Sequence, residues 1–323
     1  MRVLFVSSGN HQIFRVSPII AAQADTIRSR GVELQIFPIV GKGFWGYLKR
    51  TIPLFFAINK GNYDLVHAHY SLCGMVAWLA SLDYPLIWKM KKPVIVSLMG
   101  SDVKQGGFLQ RMIHLFVTKA WDTTIVKSKD MKQCLGLENP IVIPNGVNTQ
   151  VFKILSTFDC KQQLAWDIGS KHILFGADPQ RPVKNYALAQ KAYPLITTDN
   201  CEFHILGSIP HADIPIYLNA CDVLLLTSRW EGSPNIVKEA MACGTPIVCT
   251  DVGDVRWLLD GIDGCFISSQ DPVDIAKKLD LALMHIGKTN GRDRLIELGL
   301  DADSISNRIV GLYEEVLKKR RGN

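Results

Sequence analysis

The sequence contains no long apolar run. None of its apolar stretches approaches the roughly 18 consecutive residues that a membrane-spanning helix requires. The apolar start, residues 1–6, is too short for the core of a signal peptide and is typical of a first β-strand. The hydrophobic fraction of 47% and charged fraction of 20% are ordinary for a soluble globular protein. We therefore expect a cytoplasmic protein.

Patterned cysteines and metal-ligand clusters are also missing. The eight cysteines are scattered, with no C-x-x-C pair and no Cys/His cluster, which indicates reduced, mostly buried thiols. The sequence has no internal repeat and no low-complexity tract. The loop after the first strand, Ser7-Ser8-Gly9-Asn10, is not a G-x-G-x-x-G motif, which argues against a dinucleotide cofactor. No cofactor and no metal site are predicted.

Acidic residues are scarce in the first half of the chain. Residues 1–150 hold 17 Lys and Arg against 8 Asp and Glu, a net charge of +9. Residues 151–323 hold 19 against 22, a net charge of −3. This asymmetry suggests that the first half contacts something anionic. No nucleic-acid recognition motif accompanies the basic residues, so nucleic acid is not predicted as that partner.

Short apolar runs alternate with helical patterns along the chain. Such alternation predicts doubly wound parallel sheets, in which ligands bind at the carboxyl ends of the strands. The strands predicted in the first half are Val3–Ser7, Glu33–Pro38, Leu65–His67, Val94–Leu98, Thr124–Val126 and Ile141–Ile143. Helical patterns between them include Ser17–Arg30 and Leu72–Lys89. Thr149–Ser170 lacks a clear period and is predicted to be a linker with a lead-in.

The segment from Ser228 to Ala242 organises the second half. An apolar run, Asp222–Leu226, precedes it, and a glycine stop and a second apolar run follow, which predicts a strand-turn-helix-strand unit. Pro234 suits the first helical turn, where its missing N–H is no loss. Backbone N–H groups at this turn would form an anion site. They belong to Gly232, Ser233, Asn235 and Ile236.

Two carboxylates flank this turn. Glu231 stands just before the predicted helix, and Glu239 lies inside it, eight positions on. Carboxylates beside a phosphate-binding turn suit a ligand that carries phosphates and many hydroxyls, such as a sugar nucleotide. The spacing matches the Glu-x7-Glu motif of retaining glycosyltransferases, and the sequence around it resembles family four of those enzymes. The resemblance implies a GT-B fold, two Rossmann-like domains facing across a cleft, with Glu239 on the ribose and Glu231 on the transferred sugar.

A basic, proline-rich loop follows the strand Ile173–Gly176. Arg181 and Lys184 stand three apart before a helix and could bring two cations to one site, or form a solvated basic turn. The loop resembles the family element that binds the diphosphate, which implies that these residues supply the charge a metal would otherwise give. The resemblance also places Gly207 and Ser208 against the nucleotide base.

Further candidate site residues follow strands of the first half, with Gly9 assigned to donor binding and His69 and Asp102 to the acceptor side. Gly9 would let the backbone approach a ligand closely, and His69 either faces a ligand or is structural. Met99-Gly100-Ser101-Asp102 resembles a His-Gly-Ser-Asp loop of the family, but Met99 replaces the histidine, so no acid–base role is assigned there. Asp102 either serves the site or caps the next helix. Asp301 and Asp303 have the D-x-D spacing of a metal motif from another transferase fold, yet helix capping is the preferred interpretation.

Five aromatic residues lie between Phe44 and Phe56, among four basic residues. This composition is typical of a helix at a membrane interface, or of a half-buried helix whose aromatics belong to the core. Pro53 argues against one continuous helix. The basic residues are Lys42, Lys49, Arg50 and Lys60, and Lys89-Met90-Lys91-Lys92 after Trp88 forms a second cluster.

These observations predict two domains. Residues 1–150 form an acceptor domain, onto which a C-terminal helix at about 305–320 packs, and residues 151–304 bind the nucleotide sugar. The predicted function is metal-independent, retaining transfer of a sugar from a nucleotide diphosphate to a lipid-linked or other glycan acceptor in cell-envelope polysaccharide synthesis. Contact with an anionic membrane at the cytoplasmic face is part of this prediction. The alternatives are a non-catalytic nucleotide-sugar binder and a GT-B sugar-nucleotide epimerase.

Overall fold

The structure is a computed structural model that describes residues 1–10, 15–82, 92–100, 103, 107–207 and 209–322. The chain divides into two compact units, Met1–Gly146 with Ala302–Asn323, and Val147–Asp301. The division falls inside the Pro-Asn-Gly-Val turn at residues 144–147. The domain limits expected from the sequence, 150 and 304, lie within four residues of these divisions.

The first unit is built on a six-stranded parallel sheet of order β2-β1-β3-β4-β5-β6. Its strands are β1 Arg2–Ser8, β2 Glu33–Ile39, β3 Leu65–His69, β4 Val94–Ser97, β5 Thr123–Val126 and β6 Ile141–Val142. Its helices are α1 Pro18–Arg28, α2 Gly43–Leu48, α3 Thr51–Gly61, α4 Ser71–Ala80, α5 Gly107–Lys119, α6 Lys129–Leu135 and the final helix α14 Ala302–Arg321.

The second unit contains a five-stranded parallel sheet of order β11-β10-β9-β7-β8. Its strands are β7 Lys171–Phe175, β8 Cys201–Ile205, β9 Val223–Leu226, β10 Ile247–Thr250 and β11 Cys265–Ser268. Its helices are α7 Thr157–Gln163, α8 Tyr186–Ala192, α9 Ile214–Ala220, α10 Asn235–Ala242, α11 Val255–Leu259, α12 Pro272–Leu283 and α13 Gly291–Glu297. Single 3₁₀ turns lie at Pro182–Lys184 and Tyr193–Leu195.

Burial of the central strands explains why the sequence pattern predicted them. All four residues of β9 are fully buried, as are the three apolar residues of β10, Ile247, Val248 and Cys249. A strand buried on both faces needs a continuous apolar run, and each such aliphatic side chain contributes roughly 1.5–3 kcal/mol. The prediction of doubly wound parallel sheets is confirmed.

Two local predictions differ from the structure. Thr149–Ser170 contains the helix α7, whose N-cap Ser156 accepts a hydrogen bond from the N–H of Asp159. The short helix was missed because its apolar residues show no helical period. Pro234 is the N-cap of α10 rather than a residue of its first turn, since its extended backbone ends the loop. The Phe44–Phe56 segment forms two helices, α2 and α3, in agreement with the argument against one continuous helix.

The described part of the chain contains no helix that is both long and apolar enough to cross a membrane. Within the first unit, α14 packs on α1, and its Tyr313 hydroxyl lies 2.5 Å from His67 Nδ1 on β3. The guanidinium of Arg320, near the end of α14, pairs with Asp122 at 2.8 Å. The final helix is therefore anchored to the first sheet at both its middle and its end.

Candidate functional site

The candidate site lies at the carboxyl edge of the second sheet. Because β7, β9 and β10 are parallel neighbours, the loops that follow them meet at one edge. Thr227 Oγ1 donates to the carbonyl oxygens of Lys184 and Asn185, at 3.1 and 3.0 Å. The N–H of Arg229 donates to the Val183 carbonyl at 2.8 Å. These bonds fasten the loop after β9 to the loop after β7.

Lys184 and Glu231 form an ion pair at this junction. Lys184 Nζ lies 2.5 Å from Glu231 Oε1, and the two side chains are only 11% and 16% exposed. Ser228 Oγ donates to the same carboxylate oxygen at 2.7 Å. Glu231 is thus fixed by Lys184 and Ser228 at the start of the turn that leads into α10.

Arg181 differs from Lys184 in its surroundings. It precedes the 3₁₀ turn Pro182–Lys184 and is exposed. Over the described ranges, the guanidinium of Arg181 makes no hydrogen bond or ion pair, and only its backbone is bonded: its N–H donates to the Asp178 carbonyl at 3.2 Å and its carbonyl accepts from the N–H of Lys184 at 2.9 Å. One cation of the loop is therefore already paired with a carboxylate, while the other is available to an anion from solvent.

The turn between Glu231 and α10 is tightly enclosed. Gly253, in the loop after β10, has a φ of +58°, and a Cβ there would come within 2.6 Å of the Gly232 carbonyl oxygen. On the other side, a Cβ at Gly176 would approach Leu224 Cδ1 to 2.8 Å. Ser233 Oγ is shielded from solvent and has no hydrogen-bond partner among the described residues. An unpaired hydroxyl at a helix N-terminus favours an anionic or hydroxyl-bearing ligand.

Glu239 has a partner that the sequence analysis missed. Its Oε1 lies 2.9 Å from His211 Nε2, and the Glu239 side chain is only 8% exposed. The hydrogen bond to Glu239 raises the pKa of His211, against the opposing effect of burial. His211 comes from the loop between β8 and α9, so its position after a predicted strand was the available signal.

Lys238, next to Glu239 on α10, is completely buried. Burial lowers its pKa to about 8, while the negative charges of Asp254 and Glu239 oppose that shift. Asp254 stands at the N-terminus of α11, directly after Gly253. The lysine therefore places a charge beneath the loops that surround the Glu231 turn.

Several predicted residues lie elsewhere. Gly207 follows β8 at the carboxyl edge of the second sheet, whereas Ser208 falls outside the described residues. Gly9 follows β1 in the first unit, and its N–H donates to the Ile39 carbonyl at 2.7 Å. Asp102 falls outside the described residues, and so do residues 89–91 of the second basic cluster.

His69 is in the interior of the first unit. It is 1% exposed, stacks on His67 at 4.4 Å between ring centroids, and contacts Phe5 at 4.5 Å. Burial lowers its pKa well below the ordinary value, helped by the charge of His67 and Lys127, so the imidazole is neutral. These contacts favour the structural alternative for His69.

Comparison with known proteins gives the class of this chain. Residues 163–285 match the family model described as "Glycosyl transferases group 1", and residues 8–151 match "Glycosyltransferase Family 4". The two matches together cover most of the chain and support its assignment as a glycosyltransferase of family four. Its Arg181, Lys184, Glu231 and Glu239 all lie within the first of these matched ranges.

Two sequence relatives and one solved structure illustrate the likeness. One relative is TuaC of Bacillus subtilis (strain 168), which is named provisionally as a teichuronic acid biosynthesis glycosyltransferase. It is 43% identical in an alignment of 222 residues that covers 60% of this chain and 55% of that protein. The UDP-Gal:alpha-D-GlcNAc-diphosphoundecaprenol alpha-1,3-galactosyltransferase of Escherichia coli is 21% identical over 84% of this chain and 80% of its own. The Anabaena protein HepE in complex with UDP and glucose shares the fold, with a TM-score of 0.76 at 16% identity, over 98% of this chain and 100% of that one. The predicted GT-B fold class is therefore confirmed.

Proposed function

We propose that this protein is a retaining, metal-independent glycosyltransferase that moves a sugar from a nucleotide-diphosphate sugar to a glycan acceptor. The observation that carries the proposal is the Lys184–Glu231 pair at 2.5 Å, beside the exposed Arg181 and the N-terminus of α10. Cations and helix N–H groups stabilise a departing diphosphate, and a held carboxylate accepts sugar hydroxyls. One edge of the second sheet supplies both.

Each residue has a distinct part in the proposed reaction. Arg181 and Lys184 neutralise the charge that develops on the diphosphate as the bond from the sugar carbon to phosphate oxygen breaks. Glu231 orients the sugar, and Glu239 binds the ribose hydroxyls. The acceptor oxygen bonds on the face that the diphosphate leaves, and the leaving phosphate takes its proton. This route requires no protein base, which is consistent with Met99 in place of a histidine.

The test is mass spectrometry of the purified protein incubated with a panel of nucleotide-diphosphate sugars. Slow hydrolysis of one donor, with release of its nucleoside diphosphate, is the expected result and identifies the base. The activity should persist in EDTA and should not need added magnesium or manganese. Binding of a donor without any turnover would support the non-catalytic alternative. An unsaturated sugar released together with the nucleoside diphosphate, or conversion of the donor into an epimer that chromatography resolves before mass spectrometry, would support an epimerase.

For the acceptor, we propose a lipid-linked sugar of a cell-envelope polysaccharide, brought to the site at an anionic membrane. The outward side of α2 and α3 exposes Trp45 by 71%, Ile52 by 68% and Phe56 by 64%. Tyr47 and Leu54 on the same two helices are buried and hold them on the unit. Packing in the core therefore explains the apolar character of Tyr47 and Leu54, but not that of Trp45, Ile52 and Phe56.

Exposed basic residues accompany these apolar side chains. Lys42, Lys49 and Arg50 are exposed on or between α2 and α3, in a half of the chain with a net charge of +9. A surface that combines large apolar side chains with lysine and arginine suits the interface of an anionic bilayer. A relative that acts on a diphosphoundecaprenol-linked acceptor supports the same class of acceptor.

A further inference from the structure

A triangle of metal-binding side chains lies at the opposite edge of the second sheet. Register pairs His172 on β7 with Glu202 on the edge strand β8, and His204 is two residues further along β8. Residues i and i+2 of a strand share a face, so the three side chains converge. His172 Nδ1 and His204 Nε2 are 2.9 Å apart, and Glu202 Oε2 lies 3.7 and 3.6 Å from them.

These distances match the ligand spacing of a small divalent cation. A zinc ion with its ligands at about 2.0–2.1 Å in a tetrahedron separates them from one another by about 3.3 Å. Sides of 2.9, 3.6 and 3.7 Å bracket that value. Two imidazoles and one carboxylate favour zinc and its neighbours in the transition series over magnesium or calcium.

The surroundings prepare the imidazoles for a metal. His172 is fully buried, and its Nε2 lies 2.6 Å from the Asp167 carbonyl oxygen. A carbonyl can only accept, so Nε2 carries the proton, and the lone pair of Nδ1 points toward His204 and Glu202. A backbone carbonyl on the second ring nitrogen is the usual support of a metal-bound histidine.

Trp166 closes one side of the triangle. Its indole stacks on His204 at 3.7 Å and on His172 at 4.7 Å between centroids, with interplanar angles of 11° and 22°. The preceding Ala165 has a φ of +54°, a left-handed conformation that is unfavourable for a residue with a Cβ, and it turns the chain after α7 onto the two rings. The Glu202 side chain is 43% exposed, which leaves an open side for a water ligand.

We propose that His172, Glu202 and His204 bind a zinc ion that joins the edge strand β8 to β7. For both imidazoles to bind as neutral ligands, the proton on His204 Nε2 moves to His204 Nδ1 by exchange with solvent, and the carboxylate of Glu202 balances part of the ion's charge. His172 and Glu202 are the second residues of their strands, whereas the Arg181 loop follows the carboxyl end of β7. Its role is structural, and the proposal does not depend on the function proposed above.

The experiment uses the full chain without an affinity tag, stripped with a chelator, reloaded with zinc and passed through a desalting column. The variants are Glu202→Gln and His204→Gln, with His114→Gln, an exposed histidine on α5, as the matched control. We expect one zinc per chain in the parent and the control, and a zinc affinity at least about 100-fold lower in the two variants. Zinc should raise the melting temperature of the parent and the control only.

Cobalt provides an independent readout, because bound cobalt gives visible ligand-field absorption that reports its coordination. Circular dichroism of the metal-free variants shows whether they fold. If His204→Gln does not fold, Glu202→Gln still tests the proposal, because the Glu202 side chain is 43% exposed. Parent protein that emerges without zinc would show that the triangle is only a hydrogen-bonded histidine pair. Equal zinc retention by the parent and both variants would also overturn the proposal.

Discussion

At the scale of single residues, Arg181 and Lys184 differ in what they do before a ligand arrives. Lys184 is already bonded to Glu231, whereas Arg181 is exposed to solvent. Removing Lys184 therefore affects both the folded chain and its ligand. Removing Arg181 should affect the ligand alone.

Arg181→Ala and Lys184→Ala should each weaken nucleoside diphosphate binding by about 1.5–3 kcal/mol, the size of a charge-assisted hydrogen bond. Lys184→Ala should also lower the free energy of unfolding by about 1–3 kcal/mol, because it leaves the half-buried Glu231 without its cation. Calorimetry and denaturant unfolding measure the two effects. Lys191→Ala, an exposed lysine on the neighbouring helix α8, is the control. Unchanged affinity in both variants would exclude these residues from the site.

The two glutamates should be separable by the ligand they affect. Glu239→Gln removes the charge proposed to bind the ribose and should weaken donor and free nucleotide alike. Glu231→Gln should leave nucleotide affinity nearly unchanged and depress turnover, since Glu231 is placed on the sugar and Lys184 stays free to bind phosphate. Calorimetry measures binding, and mass spectrometry measures turnover. Glu297→Gln is the control, because Glu297 is an exposed residue on α13. Identical behaviour of the two variants would contradict this division of roles.

At the scale of secondary-structure elements, α10 carries the site and an unusual buried charge. Lys238 is fully buried with a pKa of about 8, below its ordinary 10.5. Between these two values the unfolded chain binds more protons than the folded chain, so the free energy of unfolding should rise as pH rises. Below pH 8, lysine is charged in both states and contributes no slope.

Lys238→Met should remove this rise between about pH 8 and 10.5. The variant should also be less stable at neutral pH, because the buried carboxylate of Asp254 loses its nearby positive charge. Urea unfolding at a series of pH values measures both the slope and the stability. Lys277→Met is the control, because Lys277 is an exposed residue on α12. A slope in Lys238→Met equal to that of the parent would contradict the assignment to Lys238.

The elements that the sequence predicted share one property, which is a continuous or periodic apolar pattern. β9 and β10 were located within one residue because their burial demands apolar side chains throughout. α7 was missed because seven residues with two buried positions show too little period. Pro234 suits either the N-cap or the first turn, and only the loop geometry decides between them.

Partners that meet only in three dimensions could not be predicted. His211 and Glu239 are 28 positions apart, His211 in the loop between β8 and α9 and Glu239 on the helix α10. His172 and His204 come together by strand register, not by sequence spacing, so the search for a Cys/His cluster along the chain missed them. Glu231 and Glu239 were found because they share one continuous strand-turn-helix unit.

At the scale of the whole molecule, net positive charge is concentrated in the first half of the chain, where α2 and α3 also expose large apolar side chains. The sequence left open whether the aromatics at 44–56 belong to the core or to an interface. The structure divides them, since Tyr47 is 7% exposed and Trp45 is 71% exposed. Trp45 and Tyr47 are two positions apart on α2, and side chains at that spacing point in different directions from a helix. Composition alone therefore could not tell the buried aromatic from the exposed one.

We predict that the parent protein sediments with vesicles in proportion to their anionic lipid content. Each basic residue near the surface contributes roughly 1 kcal/mol, and this part should decline with salt. Inserted Trp45, Ile52 and Phe56 should leave a remainder that salt does not remove. Co-sedimentation at low and high salt separates the two contributions.

Two substitutions assign these contributions to residues. Lys49→Glu should reduce binding at low salt, whereas Trp45→Ser should reduce the salt-resistant remainder. Trp257→Ser is the matched control, because Trp257 is 45% exposed but lies on α11 in the mildly acidic second half. Lys49 and Trp45 are both exposed, so neither Lys49→Glu nor Trp45→Ser should alter the melting temperature. If the parent stays in the supernatant at every lipid composition, the surface of α2 and α3 does not bind membranes, and a soluble sugar becomes the better candidate for the acceptor.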